Sequence, residues 1–280
     1  MSSASYELEQ RVTQLANLPT LPGVIRQISA LAENQDSGAA EVADIIAADQ
    51  VLCAKVLRLV NSPVYGFPER ISSIRHAVVL LGFNVVKGLV LGTAIFDSLG
   101  ADGRGLWNHS LGTAIVARRI GKEIAAEDVE EIMMAGLLHD IGKVILIHLM
   151  PDVWAKASQK AVEKGIHISI AERSIFGADH CQVAEWVARE WRFPDRLSKP
   201  LRYHLKPQSA GKHYEITAII HVADILARGM GYGSTGDEVL GRLDHDAYKH
   251  LGLSDHQIGV ILADAEAEYN LGVDIFTAGG

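Results

Sequence analysis

The chain has 280 residues, of which 48% are hydrophobic, and its 34 acidic against 26 basic side chains leave a formal net charge of −8. That is enough apolar material for the core of one large domain or two modest ones, and the acidic balance argues against a surface built to bind nucleic-acid backbones. Cys53 and Cys181, the two cysteines, are far apart in apolar helical contexts, which suits buried thiols in a reducing cytoplasm better than a disulfide framework.

Met1 to Gln10 has no basic segment ahead of an apolar core and so lacks the form of a secretory signal. From Tyr6 to Asn17 the apolar positions Leu8, Val12 and Leu15 predict an amphipathic helix. Pro22 sits well in the first turn of a second helix carrying Val24, Ile25, Ile28 and Leu31, ended by the polar loop Asn34 to Gly38. A short helix over Ala40 to Ala48 follows, with Asp49 as N-cap for Val51 to Val60, and Asn61-Ser62-Pro63 stops that helix. Asn61 and Ser62 are read as residues that cap and close it. Ser72 or Ser73 opens a long apolar helical region reaching Leu99, where Gly82, Gly88 and Gly92 allow close contacts or a kink.

Gly100 to Gly105 is the best boundary in the sequence, so the chain divides into 1–100, 101–235 and 236–280. Beyond it, helices are predicted over Leu106 to Ala125, Val129 to Leu149, Pro151 to Lys164, Ile168 to Phe176, Cys181 to Trp191, Asp195 to Leu205 and Ile216 to Gly229. The loop Gly229 to Asp237 is glycine-rich and expected to be mobile, and Leu253 to Leu271 is a last amphipathic helix. No alternating strand pattern persists, which makes the fold class all-α. Ala77 to Phe96 and Ile132 to Met150 approach membrane-span length, but their internal Asn84, Lys87, His139, Asp140 and Lys143 mark them as core helices rather than membrane insertions.

Gly136-Leu137-Leu138-His139-Asp140-Ile141-Gly142-Lys143 sets an imidazole and a carboxylate inside an apolar run. Buried groups of this kind need hydrogen bonds, an ion partner or a cation. His109, His180, His204 and Asp224 stand in helical segments on either side. Together with His139 and Asp140 they have the composition of a metal site for one or two divalent ions, with Fe, Mn, Ni or Zn favoured over Mg or Ca. His221, one turn before Asp224, shares its face. His76, His148 and His167 are read as structural, and Trp186 and Trp191 as core anchors.

The order His109, then His139-Asp140, then Asp224 resembles the HD superfamily of metal-dependent phosphohydrolases. Leu18-Pro19-Thr20-Leu21-Pro22, Ile45 to Asp49, Lys55 to Ser62 and Ile74-Arg75-His76-Ala77 with Leu81-Gly82 narrow the resemblance to the bacterial, signalling-linked HDOD family. That resemblance implies a multi-helix HD-type bundle behind an N-terminal HDOD helical half. It also implies His109, His139, Asp140, His180, His204 and Asp224 as metal ligands, with Asp140 bridging two ions about 4 Å apart and Lys143 meeting a phosphate oxygen.

Departures from the related HD-GYP phosphodiesterases shape the functional expectation. Leu205 follows His204 where those enzymes usually carry a second histidine, and no proline follows Gly231-Tyr232. Cyclic di-GMP hydrolysis is therefore not expected. Gly105 stands where three-metal relatives carry a glutamate, so neither is a third ion. Two readings remain: a signalling module acting through a nucleotide-like ligand or a protein partner, and a metal-dependent phosphohydrolase using Asp140 and Lys143. Substrate and oligomeric state are not legible in the sequence.

Overall fold

The computed structural model of the protein describes residues 3–14, 27, 39–234 and 236–273, and among these every regular element is helical. Helix α1 (Ser3–Thr13) buries Leu8 and Val12, as their spacing requires, and its Glu9 meets Arg189 at 2.6 Å. Most of the expected helix from Pro22 and the loop after it lie outside the described residues. Helices α2 (Ala39–Ala48) and α3 (Gln50–Val60) follow, and the Asp49 carboxylate caps α3 by accepting from the Leu52 amide at 3.0 Å.

Asn61 closes α3 and does more than cap it. Its side-chain amide donates to the Leu57 and Ile71 carbonyls at 2.7 and 2.8 Å, and its oxygen accepts from the Ile71 amide at 2.7 Å. One side chain thus clasps the 62–70 loop as a paired strand would. Asn61→Ala is expected to destabilise the protein by about 1–3 kcal/mol, the cost of leaving such groups unpaired, a loss readable by urea unfolding.

The long apolar region after Ser73 is two helices, α4 (Ile74–Leu81) and α5 (Phe83–Ser98), parted at Gly82, whose φ of +84° is open to glycine and strained for other residues. On α5 the small Gly88 and Gly92 let a neighbour approach: a Cβ there would stand 2.7 Å from the Met134 sulfur and 2.8 Å from a Leu138 methyl. That neighbour is α7 (Val129–Leu138), which also packs against α6 (Arg104–Glu123). At Gly136 a Cβ would lie 2.9 Å from the Ala114 Cα. Arg118 of α6 locks the two halves of the chain together by donating to the Val64 and Tyr65 carbonyls at 3.0 and 2.8 Å and pairing with Glu130 at 3.0 Å.

The single helix expected over Val129 to Leu149 breaks at His139-Asp140, where α8 (Ile141–Leu149) begins. Asp140 has φ −97° and ψ 14°, in the bridge region between helix and strand. The 129–149 run is apolar and long enough to cross a membrane, but 83% of its most apolar window is buried within the fold.

Helices α9 (Pro151–Lys164), α10 (Ile168–Phe176), α11 (His180–Glu190), α12 (Asp195–Tyr203) and α13 (Tyr214–Gly229) complete the bundle. A short helix α14 (His245–Leu251), absent from the sequence reading, precedes α15 (Asp255–Gly272), which lies along α6 through ion pairs from Arg119 to Asp264 and Glu268. Two residues of the 229–237 loop meet partners on neighbouring elements. Tyr232 is buried against Gly112 and stacks on Tyr269 at 4.0 Å, and the buried Asp237 carboxylate receives His167 at 3.2 Å.

Candidate metal centre

Four helices and the α7–α8 break bring the six expected ligand residues together. His109 comes from α6, His139 and Asp140 from the break, His180 from the first turn of α11, His204 from the end of α12 and Asp224 from α13. All are buried.

Their donor atoms form two groups with Asp140 between them. On one side His109 Nε2 lies 3.1 Å from Asp224 Oδ1 and 3.3 Å from His139 Nε2, and Asp140 Oδ2 is 3.4 Å from His139 Nε2. On the other side Asp140 Oδ1 faces His180 Nε2 at 3.7 Å and His204 Nε2 at 4.0 Å. Lys143, one turn along α8, donates to Asp140 Oδ2 at 2.8 Å and is itself buried.

The ring orientations decide what these groups can bind. His139 Nδ1 donates to the Gly136 carbonyl at 2.7 Å, His180 Nδ1 to Glu172 at 2.7 Å and His204 Nδ1 to the Leu201 carbonyl at 3.1 Å. With the proton fixed on Nδ1, each ring turns an Nε2 lone pair inward, an arrangement common to metal-ligating histidines. His180 Nε2 and Asp140 Oδ1 have no hydrogen-bond partner among the described residues. Buried atoms left this way are costly unless something else satisfies them, so the donor set fits a divalent cation.

Electrostatics favour the donor-ready forms of Asp140 and His204 but not of His180. Burial alone would raise the Asp140 carboxyl, but Lys143 and His139 outweigh it and hold it well below the usual carboxylate range. Burial and the neighbouring His139 push His204 down to about 3, so its imidazole is neutral. For His180 the Glu172 carboxylate overrides burial and raises the ring well above its ordinary value; a cation would compete with that proton.

Glu172 is the contact that sequence reasoning missed. It is fully buried and accepts from both the His180 backbone amide, at 2.9 Å, and the His180 ring. Nothing in its spacing signals this, since the pairing joins the middle of α10 to the start of α11. Glu172→Ala is expected to lower metal affinity about 10- to 100-fold, the usual effect of removing such a support, as measured by competition with a metal indicator.

His221 stays out of the cluster. Its Nδ1 donates to the His204 carbonyl at 2.7 Å and its Nε2 accepts from the Asp244 amide at 2.8 Å, leaving no lone pair for a metal. It positions His204 instead. His167 caps α10 and His148 meets Ser98, while His76 is exposed and offers its backbone amide to the Ser73 hydroxyl.

A cavity of about 820 Å³ opens beside the centre, with Asp224 and Cys181 in its wall and Arg173, Arg202, Lys206 and Arg242 around it. Arg173 is paired with Asp179, and Arg202 with Glu185 at 3.0 Å, while Lys206 and Arg242 are exposed. Lys143 is not part of that wall.

A family model for the HDOD domain matches residues 18–207. The crystal structure of an HDOD domain protein of unknown function from Geobacter sulfurreducens is 28% identical and superposes with a TM-score of 0.68 over 95% of this chain and 98% of that one. A candidate phosphohydrolase of Shewanella amazonensis SB2B, 24% identical, gives a TM-score of 0.68 over 99% of this chain and 98% of its own, a likeness that speaks for the fold. An uncharacterized protein of Treponema pallidum (strain Nichols) is 23% identical over 223 residues, covering 75% of this chain; the chain spans 44% of that relative's length.

Proposed function

The chain belongs to the HDOD family, and from that premise we infer that it is a signalling protein whose HD-type centre holds one or two divalent cations and which acts by binding a nucleotide-like anion or a protein partner. The observation that carries this reading is the convergence of four imidazole Nε2 atoms on the two oxygens of Asp140, three of the rings being fixed by Nδ1 bonds. His109, His139 and Asp224 would hold one ion, His180 and His204 the other, with Asp140 shared. Imidazole and carboxylate donors suit Fe, Mn, Ni or Zn. When bound, such ions supply Lewis-acid polarisation of a phosphoryl oxygen.

The protein's own residues supply the remaining functions. Lys143 keeps Asp140 ionised, Glu172 and His221 hold the His180 and His204 donors in line, and the exposed Lys206 and Arg242 at the cavity would attract an anion. A second reading, phosphoester hydrolysis, is favoured by the cavity reaching Asp224, which brings a bound anion against the centre. In that reading Lys143 turns from Asp140 to the phosphate.

Calorimetric titration of the metal-loaded protein with nucleotides and cyclic dinucleotides, with product release followed in parallel, separates the two readings. Binding without turnover, weakened about tenfold (1.4 kcal/mol) by the Lys206→Glu/Arg242→Glu pair, is the expected result. Turnover abolished by Lys143→Ala would establish the hydrolase instead. Absence of binding across the panel would leave the protein partner as the ligand.

A further inference from the structure

His167 and Ser169 stand at the start of α10, in the wall of the cavity of about 820 Å³. The Ser169 hydroxyl lies 2.9 Å from His167 Nδ1, and His167 Nε2 lies 3.2 Å from the Asp237 carboxylate. Neighbouring groups fix the roles of the two ring nitrogens. The Ser169 backbone amide can only donate, and it donates to Nδ1 at 3.3 Å. Nδ1 therefore carries the lone pair, and the ring proton sits on Nε2, facing Asp237. The Ser169 hydroxyl, too, must donate to Nδ1. Asp237 is held in turn by the Ile168 and Val239 amides at 3.4 and 3.1 Å and by Arg228 at 3.6 Å, with its side chain fully buried.

A helix cap needs only the imidazole and the amide. Here a hydroxyl on the cavity wall and a buried carboxylate extend the line at both ends. Arg173, one turn along α10, brings Nη2 to 3.5 Å from the Ser169 oxygen, while its Nη1 is taken by Asp179. A guanidinium beside a nucleophile can receive the charge that develops on a carbonyl oxygen under attack. The order serine, imidazole, carboxylate is that of a serine hydrolase with the two ring nitrogens exchanged, which leaves the proton path intact.

We propose that Ser169 is a nucleophile and that the cavity hydrolyses small carboxylic esters bearing a negative charge, with His167 as general base and Asp237 as the residue that positions it. The serine oxygen bonds to the ester carbonyl carbon as its proton passes to His167 Nδ1. The bond from that carbon to the leaving alkoxide then breaks, and the alkoxide takes the proton from His167. Water, losing a proton to the same nitrogen, releases the acid and restores the serine. The exposed Lys206 and Arg242 at the cavity set the preference for an anionic ester. This chemistry uses no metal, so it stands or falls apart from the HD-type centre.

The test is a fluorophosphonate probe applied to the native full chain in excess chelator, with the adduct located by peptide mass spectrometry. Attachment to Ser169, absent from urea-unfolded protein, is expected, together with release of p-nitrophenol from the p-nitrophenyl half-ester of succinate in preference to the acetate. Ser169→Ala should abolish the adduct and bring release down to the uncatalysed rate. Asp237→Asn should lower kcat by about 100-fold or more with KM unchanged, a split that loss of folded protein combined with loss of the cavity would not give. No adduct on the native protein, an adduct on another serine instead, or release unaffected by Ser169→Ala would overturn the proposal. The first two of these are read on the unmodified chain and do not depend on whether a variant folds.

Discussion

In an Asp140→Ala variant, bound metal should be lost, and the metal-free protein should be less stable than metal-free wild type by about 3–5 kcal/mol, the cost of stranding a buried charge. The stranded charge is Lys143. Its ammonium is buried, donates to Asp140 at 2.8 Å, and is held charged because that carboxylate outweighs the effect of burial. The corresponding drop in melting temperature is on the order of 10 °C for a chain of this size. Adding metal should raise the wild-type midpoint and leave the variant's unchanged, because an ion bound only to the folded state adds its binding energy to folding. Asp140→Ala/Lys143→Met removes both charges and should recover much of the stability without recovering the metal. Melting curves of the variants with metal and with chelator test each part, and an Asp140→Ala curve that matched wild type under both conditions would contradict the site.

Gly142→Ala is expected to cost more than the 1–3 kcal/mol that about one surplus methylene adds to a packed core. A Cβ at Gly142 would stand 1.9 Å from the His180 carbonyl oxygen and 3.0 Å from the Ala184 amide. Both neighbours are backbone, so no rotamer change relieves the clash and the start of α11 must move away from α8. His180 and Cys181 move with it. The variant should therefore lose metal affinity along with stability, whereas Gly259→Ala, where nothing lies within 4 Å, should leave both intact. Unfolding curves and metal titrations of the two variants make the comparison.

These expectations show where the sequence was informative. The six residues His109, His139, Asp140, His180, His204 and Asp224 were legible because ionisable groups in apolar helices are conspicuous, and the structure gathers them. Helix starts were legible for a similar local reason: the caps at Asp49 and Ser73 act within three residues. The breaks at Gly82 and His139-Asp140 were harder to place, since apolar residues continue through both and periodicity reports only burial. The place of Glu172 depends on how α10 and α11 dock, and no spacing rule reaches across helices. The same holds for His221. It shares a face with Asp224, yet its two nitrogens are occupied by backbone groups 17 and 23 residues away. The partners of Tyr232 and Asp237 on α6, α15 and at the start of α10 are long-range contacts of the same kind.

Lys143 is engaged within the site. The family resemblance implies a lysine on phosphate, while here the ammonium is engaged with Asp140 and does not line the cavity. On that geometry its first task is electrostatic: it offsets a buried carboxylate and keeps it ionised for a cation.

The most direct test of the central claim is elemental analysis of the full chain purified without a metal-chelating tag, beside Asp140→Asn, which keeps the side-chain shape and removes the charge. One to two equivalents of Fe, Mn, Ni or Zn in the wild type, lost in the variant, is the predicted result. A wild type that folds normally and contains no transition metal, and takes none up on addition, would contradict the account and leave the convergent histidines as a hydrogen-bonded core.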